Sequence, residues 1–418
     1  MAEKIRPVRG MNDILPDEAP AWQHLEAEAR RVLEGYGYRE TRFPLVERLD
    51  LFARSIGEDT DIVEKEMYTF EDTSGDTLAL RPEGTAGCVR SGISNGLFRG
   101  QVHRLYYIGP MFRHERPQKG RYRQFHQVGV EAFGAETPDM DAEQIIMARR
   151  FLEALGVDGL TLHLNSLGKP ADRQVYRGEL IGFLEERRDQ LCETCQERIQ
   201  RSPMRVLDCK VPTCQEAVAG APEITDFLGE ASREHFERLK GLLDGAGITY
   251  ELNPRMVRGL DYYTDTVFEW TSDRLGAQAT VVAGGRYDGL VEEIGGPPTP
   301  AVGFALGIER LLALMDSDRV PESRPAAFVA PLDPAVETSA MALAESLRDQ
   351  AIATWYHCGG GSLKSQLKKA DRQGARFALI LGEQEHTDGT VLVRDLVEGD
   401  QQTLAQAEAG EFVAGRCG

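Results

Sequence analysis

The protein has 418 residues and a mass of 46.3 kDa, which corresponds to two or three domains of roughly 150 residues each. Its 41% hydrophobic and 28% charged residues exclude a disordered, collagen-like or coiled-coil chain. Against 67 Asp and Glu residues stand 48 Lys and Arg residues, a net charge of −19. Overall positive charge therefore cannot attract a nucleic acid, and a polyanionic partner must meet local basic patches.

The amino terminus carries Lys4, Arg6 and Arg9 without an apolar stretch, so it does not resemble a secretory signal. No apolar run approaches the roughly 18 residues that a membrane span requires. Seven cysteines, an odd number, fit a reducing compartment better than a disulfide framework. We expect a cytoplasmic protein that has no membrane partner.

In the first third of the chain, helix and hairpin patterns follow one another. Apolar residues at helical spacing over 22–36 predict an amphipathic helix that ends at Gly37. Two runs typical of strands, Arg104–Phe112 and Tyr122–Phe133, predict a hairpin with a long, charged connection.

The middle of the chain predicts a helix over Asp139–Leu155 and a strand over Leu160–Leu164. From about residue 169 to 250 the pattern is helical, and we interpret this segment as an insertion between the strands on either side. Strand patterns return at Tyr262–Thr271 and Thr280–Ala283, and Gly303–Met315 predicts a strand that continues into a helix.

Beyond a linker at Asp316–Pro325 we expect a small α/β domain of mainly parallel strands. The predicted strands are Ala327–Pro331, Thr354–His357, Phe377–Leu381 and Val391–Leu396. The predicted helices are Pro334–Asp349, Leu363–Gln373 and Gln401–Phe412.

The second strand of the hairpin carries polar residues on one face. With a period of two, Gln127, Gly129 and Glu131 share that face, while Val128 and Val130 share the other. Gln127 and Glu131 are about 13 Å apart at ~3.3 Å per residue, which suits a small polar molecule held at both ends. A solvent-facing polar side of an edge hairpin fits the pattern equally well.

Cations are concentrated in the same hairpin. Five of them oppose Glu115, a local charge of +4: Arg113, Arg116, Lys119, Arg121 and Arg123. Arginines on a strand and its turn suit bidentate binding of phosphate, although most charge runs are simply solvated. No Walker-type glycine loop or Gly-x-Gly-x-x-Gly unit is present, so a nucleotide would have to bind to arginines on an antiparallel sheet.

Phe112–Glu115 and, far downstream, Gly303–Arg310 resemble motifs 2 and 3 of the class II aminoacyl-tRNA synthetases. Arg81–Thr85, Leu260–Thr264 and Gly284–Gly289 are similar, in order and spacing, to signatures of histidyl-tRNA synthetases, and the resemblance covers essentially the whole chain. It implies an α+β fold. Residues 1–325 would form the antiparallel-sheet catalytic domain with the helical insertion, and residues 326–418 the α/β anticodon-binding domain.

The resemblance also implies an activity. ATP and L-histidine would form histidyl-adenylate, and the histidyl group would then pass to tRNA(His). Phe43–Tyr68 resembles motif 1, which implies a homodimer. One alternative is a non-catalytic paralogue that binds histidine as a regulatory subunit in histidine biosynthesis. A generic RNA-binding protein is a third reading, but it would not explain Glu83, Gln127 and Glu131.

Site residues follow from the resemblance. Arg113 and Arg258 are the expected catalytic arginines, on either side of the ATP α-phosphate. The residues expected to bind histidine are Glu83, Thr85, Arg113, Gln127, Glu131, Arg258, Tyr262 and Tyr263. Those expected to bind ATP, with Mg²⁺, are Arg113, Glu115, Arg121 and Arg310. Taken singly, an arginine is more often part of a surface ion pair, and a strand tyrosine more often packs in a core.

Two groups of residues are expected to bind tRNA. Arg116, Gln118 and Lys119 lie in the motif 2 loop, which would meet the acceptor end. In the C-terminal domain, Lys364, Lys368 and Arg372 recur every four residues and would share one helix face. That face is equally compatible with a merely solvated surface.

The insertion contains four of the cysteines. Cys192 and Cys195 are separated by two residues, and Cys209 and Cys214 by four, a pattern that leaves a structural zinc site open. The second spacing is wider than usual, and the resemblance implies no general zinc requirement. No residue is therefore assigned as a metal ligand.

Overall fold

A computed structural model describes residues 4–56, 60, 62–118, 120–207, 209–257, 260, 262–321 and 324–417 of the chain. The chain divides into two compact units, Met1–Val320 and Pro321–Gly418. Among the described residues, no helix has both the length and the apolar character that crossing a membrane requires.

The first unit is built around an eight-stranded sheet with the order β1-β5-β6-β11-β10-β9-β7-β8, counted over the described residues. The strands of this unit are β1 (Arg39–Glu40), β2 (Val46–Arg48), β3 (Thr69–Glu71), β4 (Thr77–Leu80), β5 (His103–Phe112), β6 (Gln124–Phe133), β7 (Leu160–Ser166), β8 (Glu251–Leu252), β9 (Thr264–Ser272), β10 (Thr280–Arg286) and β11 (Ala301–Gly307). The six central strands pair antiparallel, and only the short edge strands β1 and β8 pair parallel to their neighbours. The expected antiparallel core and the β5–β6 hairpin are confirmed.

Helices of the first unit are α1 (Ala19–Gly35), α2 (Leu49–Ile56), α3 (Thr85–Ser94), α4 (Pro138–Ala154), α5 (Pro170–Glu185), α6 (Glu193–Arg201), α7 (Met204–Leu207), α8 (Pro212–Ala217), α9 (Glu230–Gly245), α10 (Leu290–Glu293) and α11 (Ile308–Leu312). Short 3₁₀ segments lie at Arg188–Gln190, Ile224–Phe227, Asp273–Gln278 and Ser317–Arg319, and a π-helical turn lies at Ile62–Glu66. α5 to α9 all lie between β7 and β8 along the chain.

One face of the large sheet is covered by α1, α4 and α9. Leu25 and Val32 of α1 are fully or nearly fully buried, as the helical spacing predicts, and they share a core with Val128 and Val130 of β6. Because side chains alternate along a strand, the residues between these valines point to the opposite face. That opposite face carries the cavity described below.

A small second sheet, with the order β2-β4-β3, lies beside α2 and α3 in the chain. Ala79 of β4 is fully buried and packs with Phe52 of α2. The other face of this sheet carries Val46 and Phe70, both exposed.

The second unit contains a five-stranded sheet, again over the described residues, with the order β13-β12-β14-β15-β16. Its strands are β12 (Ala327–Pro331), β13 (Thr354–Tyr356), β14 (Phe377–Leu381), β15 (Thr390–Asp395) and β16 (Gln401–Ala405). Its helices are α12 (Glu337–Asp349), α13 (Leu363–Arg372), α14 (Glu383–Asp388) and α15 (Ala409–Cys417), with 3₁₀ segments at Pro334–Val336 and Gln406–Glu408.

Two expectations for this unit are wrong. The sheet is mixed, because β12 pairs parallel with β13 and β14 whereas β15 and β16 pair antiparallel. The helix predicted over Gln401–Phe412 begins only at Ala409, and its first part is the strand β16. The turn before β16 explains the difference. Asp395 Oδ1 accepts hydrogen bonds from the backbone N–H of Val397 and Glu398, and this reverses the chain onto β15.

Candidate active site

A cavity of about 320 Å³ opens on the face of the large sheet that the helices leave uncovered. Strands β5, β6, β9, β10 and β11 contribute to its walls. The lining includes ten of the predicted site residues, Glu83, Thr85, Arg113, Glu115, Arg121, Gln127, Glu131, Tyr262, Tyr263 and Arg310. Residues from distant parts of the chain are thus brought to one site.

Glu131 forms the most deeply buried acidic end of the cavity, with 1% of its surface exposed. Its Oε1 accepts hydrogen bonds from Thr85 Oγ1 at 2.7 Å and from the Tyr107 hydroxyl at 3.1 Å. The Tyr287 hydroxyl donates to Oε2. Burial raises the pKa of Glu131 to about 8, although the three hydroxyl donors favour the ionised form and oppose this rise.

Two glycines make room for this arrangement. A Cβ at Gly129 would lie 2.0 Å from the Tyr107 ring, and a Cβ at Gly303 would lie 2.0 Å from Glu131 Oε2. Both positions are opposite the groups they accommodate, because Gly129 pairs with Tyr107 and Gly303 pairs with Glu131 across the sheet. A side chain at either position would displace the tyrosine or the carboxyl group.

Glu83 is a second buried carboxylate, at the start of α3. Its Oε2 accepts from the backbone N–H of Thr85 at 2.6 Å, and its Oε1 accepts from that of Ala86 at 3.0 Å. These are amide groups that the first turn of a helix leaves without partners. Burial raises the pKa of Glu83, and the two amides and Arg113 act in the opposite direction.

Gln127 and a pair of tyrosines border the space between the two carboxylates. Gln127 Oε1 is buried and accepts no hydrogen bond from the described residues. Such a group is costly unless a ligand or water satisfies it. The Tyr262 and Tyr263 rings lie 4.7 Å apart, and Tyr262 also packs against Tyr287. A polar ligand that donates a hydrogen bond fits this space.

Arg113 holds a positive charge beside the acidic end. Its Nε donates to the Pro82 carbonyl at 2.9 Å, and its guanidinium lies 5.2 Å from the centre of the Phe125 ring. Burial lowers the pKa of Arg113, while Glu66 and Glu83 oppose the change. No carboxylate of the described residues forms an ion pair with it, so its remaining N–H groups are suited to an anionic ligand.

The cavity is also lined by two further arginines, Arg310 and Arg121. Arg310 is held by two backbone carbonyls. Its Nη1 donates to the Thr280 carbonyl at 2.8 Å and its Nε to the Gly120 carbonyl at 3.2 Å. Burial lowers the pKa of Arg310, and the nearby Arg121 and Arg113 lower it further. Arg121 forms an ion pair with Glu115 and lies 3.7 Å from Glu66. Arg113, Arg121 and Arg310 thus line one side of the cavity together.

Some predicted residues lie elsewhere. Arg258 and Lys119 are outside the described residues. Arg116 and Gln118 are exposed, and the backbone of Gln118 bonds in both directions with that of Arg121 to form a tight turn. In the second unit Lys364, Lys368 and Arg372 are all exposed on α13, whereas Gln366 and Ala370 are buried.

Sequence reasoning missed Tyr107 and did not assign Tyr287 to the site. A signal for Tyr107 was available, because the hairpin register places it opposite Gly129 on the polar face. Two arginines of the family motifs, Arg81 and Arg286, bind other parts of the protein rather than line the cavity. Arg81 donates to the carbonyls of Pro110 and Phe43. Arg286 is 1% exposed and is paired with Asp141 and Asp288.

An antiparallel sheet with an arginine-bearing hairpin, followed by the strand-to-helix segment Gly303–Arg310, defines a catalytic core of the class II aminoacyl-tRNA synthetase type.

Comparison with known proteins gives the particular family. The sequence model of histidyl-tRNA synthetase matches residues 10–311, and that of an anticodon binding domain matches residues 326–416. A histidine–tRNA ligase of Halorhodospira halophila is 54% identical over 99% of both chains, and one of Alkalilimnicola ehrlichii is 52% identical over 100% of this chain and 97% of its own. The crystal structure of apo S. aureus histidyl-tRNA synthetase is 36% identical, with a TM-score of 0.83 over 98% of this chain and 100% of its own. The chain belongs to the histidyl-tRNA synthetase family.

Proposed function

We propose that this protein activates L-histidine with ATP and transfers it to tRNA(His). A carboxylate oxygen of histidine attacks the α-phosphorus of ATP, the bond to the β-phosphate oxygen breaks, and pyrophosphate leaves. The terminal ribose hydroxyl of the tRNA then attacks the histidyl carbonyl and releases AMP. The observation that carries the proposal is a single cavity that joins two buried carboxylates to a wall of arginines.

Histidine fits the acidic end of the cavity. A neutral imidazole has one hydrogen-bond donor and one acceptor, and we assign its recognition to Glu131 with Tyr262 and Tyr263. Glu83, Thr85 and Gln127 are assigned to the α-amino group, and the unpaired Oε1 of Gln127 supports this assignment. An analogue without the imidazole nitrogens would leave buried polar groups unpaired, which can cost about 10⁴-fold in specificity.

The arginines are assigned to the phosphates. Negative charge builds on the α-phosphate as the histidine carboxylate approaches, and a fixed guanidinium stabilises that charge without losing its proton. Arg113 is suited to this role because it is half-buried, lies near Glu83 and donates to the Pro82 carbonyl. Arg258 is the proposed second catalytic arginine. Arg121 and Arg310 are proposed to bind the remaining phosphates.

Mg²⁺ would accompany ATP, as it does in most phosphoryl and nucleotidyl transfer. Glu115 faces the cavity and offers the carboxylate oxygens that this ion prefers. The ion would neutralise phosphate charge. Glu115 would either hold it or bind the adenine amino group.

Transfer RNA would contact both units. We assign the acceptor end to Arg116, Gln118 and Lys119, and another part of the tRNA to Lys364, Lys368 and Arg372 on α13. The exposure of the α13 cations supports this assignment, since phosphate contacts need accessible charge. A tRNA substrate also favours the cytoplasm as the site of action.

A homodimer is proposed from the motif 1 resemblance and from one apolar surface. The cross-strand pairs Val46–Leu80 and Phe70–Leu78 place four apolar side chains on the open face of the β2-β4-β3 sheet. A second copy of the chain would cover them. Phe70→Glu is expected to yield monomers by light scattering, whereas Val175→Glu, at an exposed apolar position on α5, is expected to leave the mass unchanged. A monomeric wild type would refute the homodimer.

The test of the function is ATP–pyrophosphate exchange with each amino acid in turn, followed by charging of tRNA(His). We expect exchange that depends on histidine and transfer of histidine to the tRNA. The regulatory alternative is not favoured, since the full-length relatives are named histidine–tRNA ligase. Histidine binding without exchange would nevertheless establish that alternative and refute the proposed reaction.

A further inference from the structure

The helical segment between β7 and β8 contains four cysteines that have no part in the cavity. The sulfur atoms of Cys192, Cys195, Cys209 and Cys214 all lie within 4.8 Å of one another. Among the described residues, this is the one group of three or more His, Cys, Asp or Glu side chains whose ligand atoms converge in this way.

The four cysteines come from different elements of the segment. Cys192 directly precedes α6 and Cys195 lies in its first turn. Cys209 follows α7, and Cys214 lies within α8. A Cys-x-x-Cys spacing brings only its own two sulfurs together, so the approach of the other two requires the fold of the whole segment. The close approach of all four sulfurs therefore supports a metal site independently of the sequence spacing.

Distances between the sulfur atoms distinguish a metal site from a disulfide. Four sulfurs at about 2.3 Å from a tetrahedral zinc ion are roughly 3.8 Å apart. Cys192 Sγ and Cys209 Sγ are 4.0 Å apart, close to that value. A disulfide would need about 2.05 Å. Cys192, Cys195, Cys209 and Cys214 are all free thiols.

One of the four sulfurs already accepts a hydrogen bond from the backbone. The backbone N–H of Cys192 donates to Cys214 Sγ at 3.1 Å, the type of contact that orients a metal ligand and offsets its charge. Cys195 and Cys214 are buried, and Cys192 and Cys209 are half-buried. Four sulfur ligands in tetrahedral reach select zinc over the harder cations Mg²⁺ and Ca²⁺.

We propose that Cys192, Cys195, Cys209 and Cys214 bind a structural Zn²⁺ ion. All four positions of the tetrahedron are filled by protein, so no position remains for water or a substrate. The ion stabilises the cysteine lobe, defined here as residues 188–218, whose longest helix has only 9 residues. The helices of the lobe are short, and an ion with four protein ligands would cross-link them.

The lobe also contacts elements that lead to the cavity. Cys195 and Cys214 belong to the same hydrophobic core as Leu180 of α5 and Tyr263. Arg173, also on α5, donates from Nη1 to the Tyr263 carbonyl at 2.8 Å. The zinc ion therefore stabilises the core against which α5 packs, and α5 in turn positions the backbone of Tyr263, which lines the cavity.

The test starts with the full-length wild-type protein, purified without added metal and without chelators. We expect about one zinc ion per chain by mass spectrometry of the metal content. Exchange with Co²⁺ should give the strong visible ligand-field bands of a tetrahedral tetrathiolate site. A chain that contains no zinc and gives no such bands when Co²⁺ is added would overturn the proposal, as would a disulfide among the four cysteines.

Variants locate the ion. Cys209→Ser changes a half-buried ligand, and it should lower the zinc content at least tenfold and lower the melting temperature. Cys358→Ser changes an exposed cysteine of the second unit and should keep both values. Retention of zinc and of the wild-type cobalt spectrum in Cys209→Ser would contradict the assignment. If Cys209→Ser does not fold, the wild-type metal content and cobalt spectrum still decide the question.

Discussion

Two regions of the molecule carry the same local charge of +4, and the structure treats them differently. The first is the β5–β6 hairpin. The second is residues 364–376, called here the second basic cluster, where five cations oppose Asp371: Lys364, Lys368, Lys369, Arg372 and Arg376. In the hairpin, Arg113 and Arg121 reach into the cavity, where they contact a backbone carbonyl or a carboxylate. On α13, Lys364, Lys368 and Arg372 are exposed, and no ion pair within the described residues involves them. The degree of exposure, which the charge pattern does not reveal, separates the half-buried hairpin arginines from the exposed cations of α13.

The difference predicts how each region acts. A guanidinium held in fixed geometry inside a cavity stabilises developing charge strongly, because less water competes with it than at the surface. Exposed cations contribute smaller, additive and salt-dependent terms to polyanion binding. We therefore assign the chemistry to the hairpin and part of the tRNA affinity to α13. The following variants sharpen or break this division.

The largest effect is expected for Arg113→Ala. Loss of one fixed group that stabilises developing negative charge costs about 10²–10³-fold in kcat, and we expect a loss of that size in histidine-dependent exchange. The measurement is the exchange rate at saturating ATP and histidine. Arg99→Ala, at an exposed position outside the cavity, is the control and should retain the wild-type rate. A near-normal rate in Arg113→Ala would remove the hairpin from the chemistry.

The next effect concerns adjacent tyrosines that face opposite sides of β5. Tyr107→Phe removes a hydroxyl group that donates a hydrogen bond to the buried Glu131. The loss of this hydrogen bond to a charged group costs about 1.5–3 kcal/mol. We expect it to raise the KM for histidine roughly tenfold or more. Tyr106 donates its hydroxyl to Glu34 instead. Tyr106→Phe should therefore leave the KM unchanged. Equal changes in the two variants would argue against a histidine site at Glu131.

A smaller effect is expected on α13. Lys368→Ala should raise the KM for tRNA several-fold and make charging less sensitive to salt, because one phosphate contact is lost. Lys369→Ala, on a different face of the same helix, is the matched control. If both variants weaken charging equally, general positive charge rather than the predicted ridge attracts the tRNA.

A final prediction concerns stability rather than activity, and it is a pH dependence that the buried Glu131 should produce. Because burial raises the pKa of Glu131 to about 8, the folded protein retains a proton that the unfolded chain has already released at lower pH. The free energy of unfolding should therefore fall as the pH rises from about 5 to 8. Denaturant titrations should show a weaker fall in Glu131→Gln and an unchanged fall in Lys368→Ala. A flat wild-type profile would contradict the raised pKa.

Local patterns predicted most of the fold. The spacing of apolar residues located α1 and α4, and the alternation along β6 correctly assigned Val128 and Val130 to the core. The prediction failed at β16, where Gln401–Ala405 has no strong strand pattern. Only the turn at Asp395 and pairing with β15 make it a strand. Tertiary contacts decided the outcome there.

The site was predictable in part for the same reason. Arg113, Gln127 and Glu131 lie on one hairpin, so their common face follows from a period of two. The role of Tyr287 could not be predicted, because its contact with Glu131 joins residues that are 156 positions apart in the sequence. Arg376 is a residue that its position in the sequence would group with the α13 cations, although the structure separates it from them. It belongs to the second basic cluster by sequence, but it lies beyond α13 and faces Asp395 at 3.7 Å.

The most direct test compares histidine-dependent ATP–pyrophosphate exchange in Arg113→Ala with that in the triple variant Lys364→Ala/Lys368→Ala/Arg372→Ala. Exchange requires adenylate formation but no tRNA. We predict that Arg113→Ala loses exchange almost entirely, whereas the triple variant stays at the wild-type exchange rate and is impaired only in charging. Equal loss of exchange in both variants would contradict the division between the cavity cations and the exposed cations of α13.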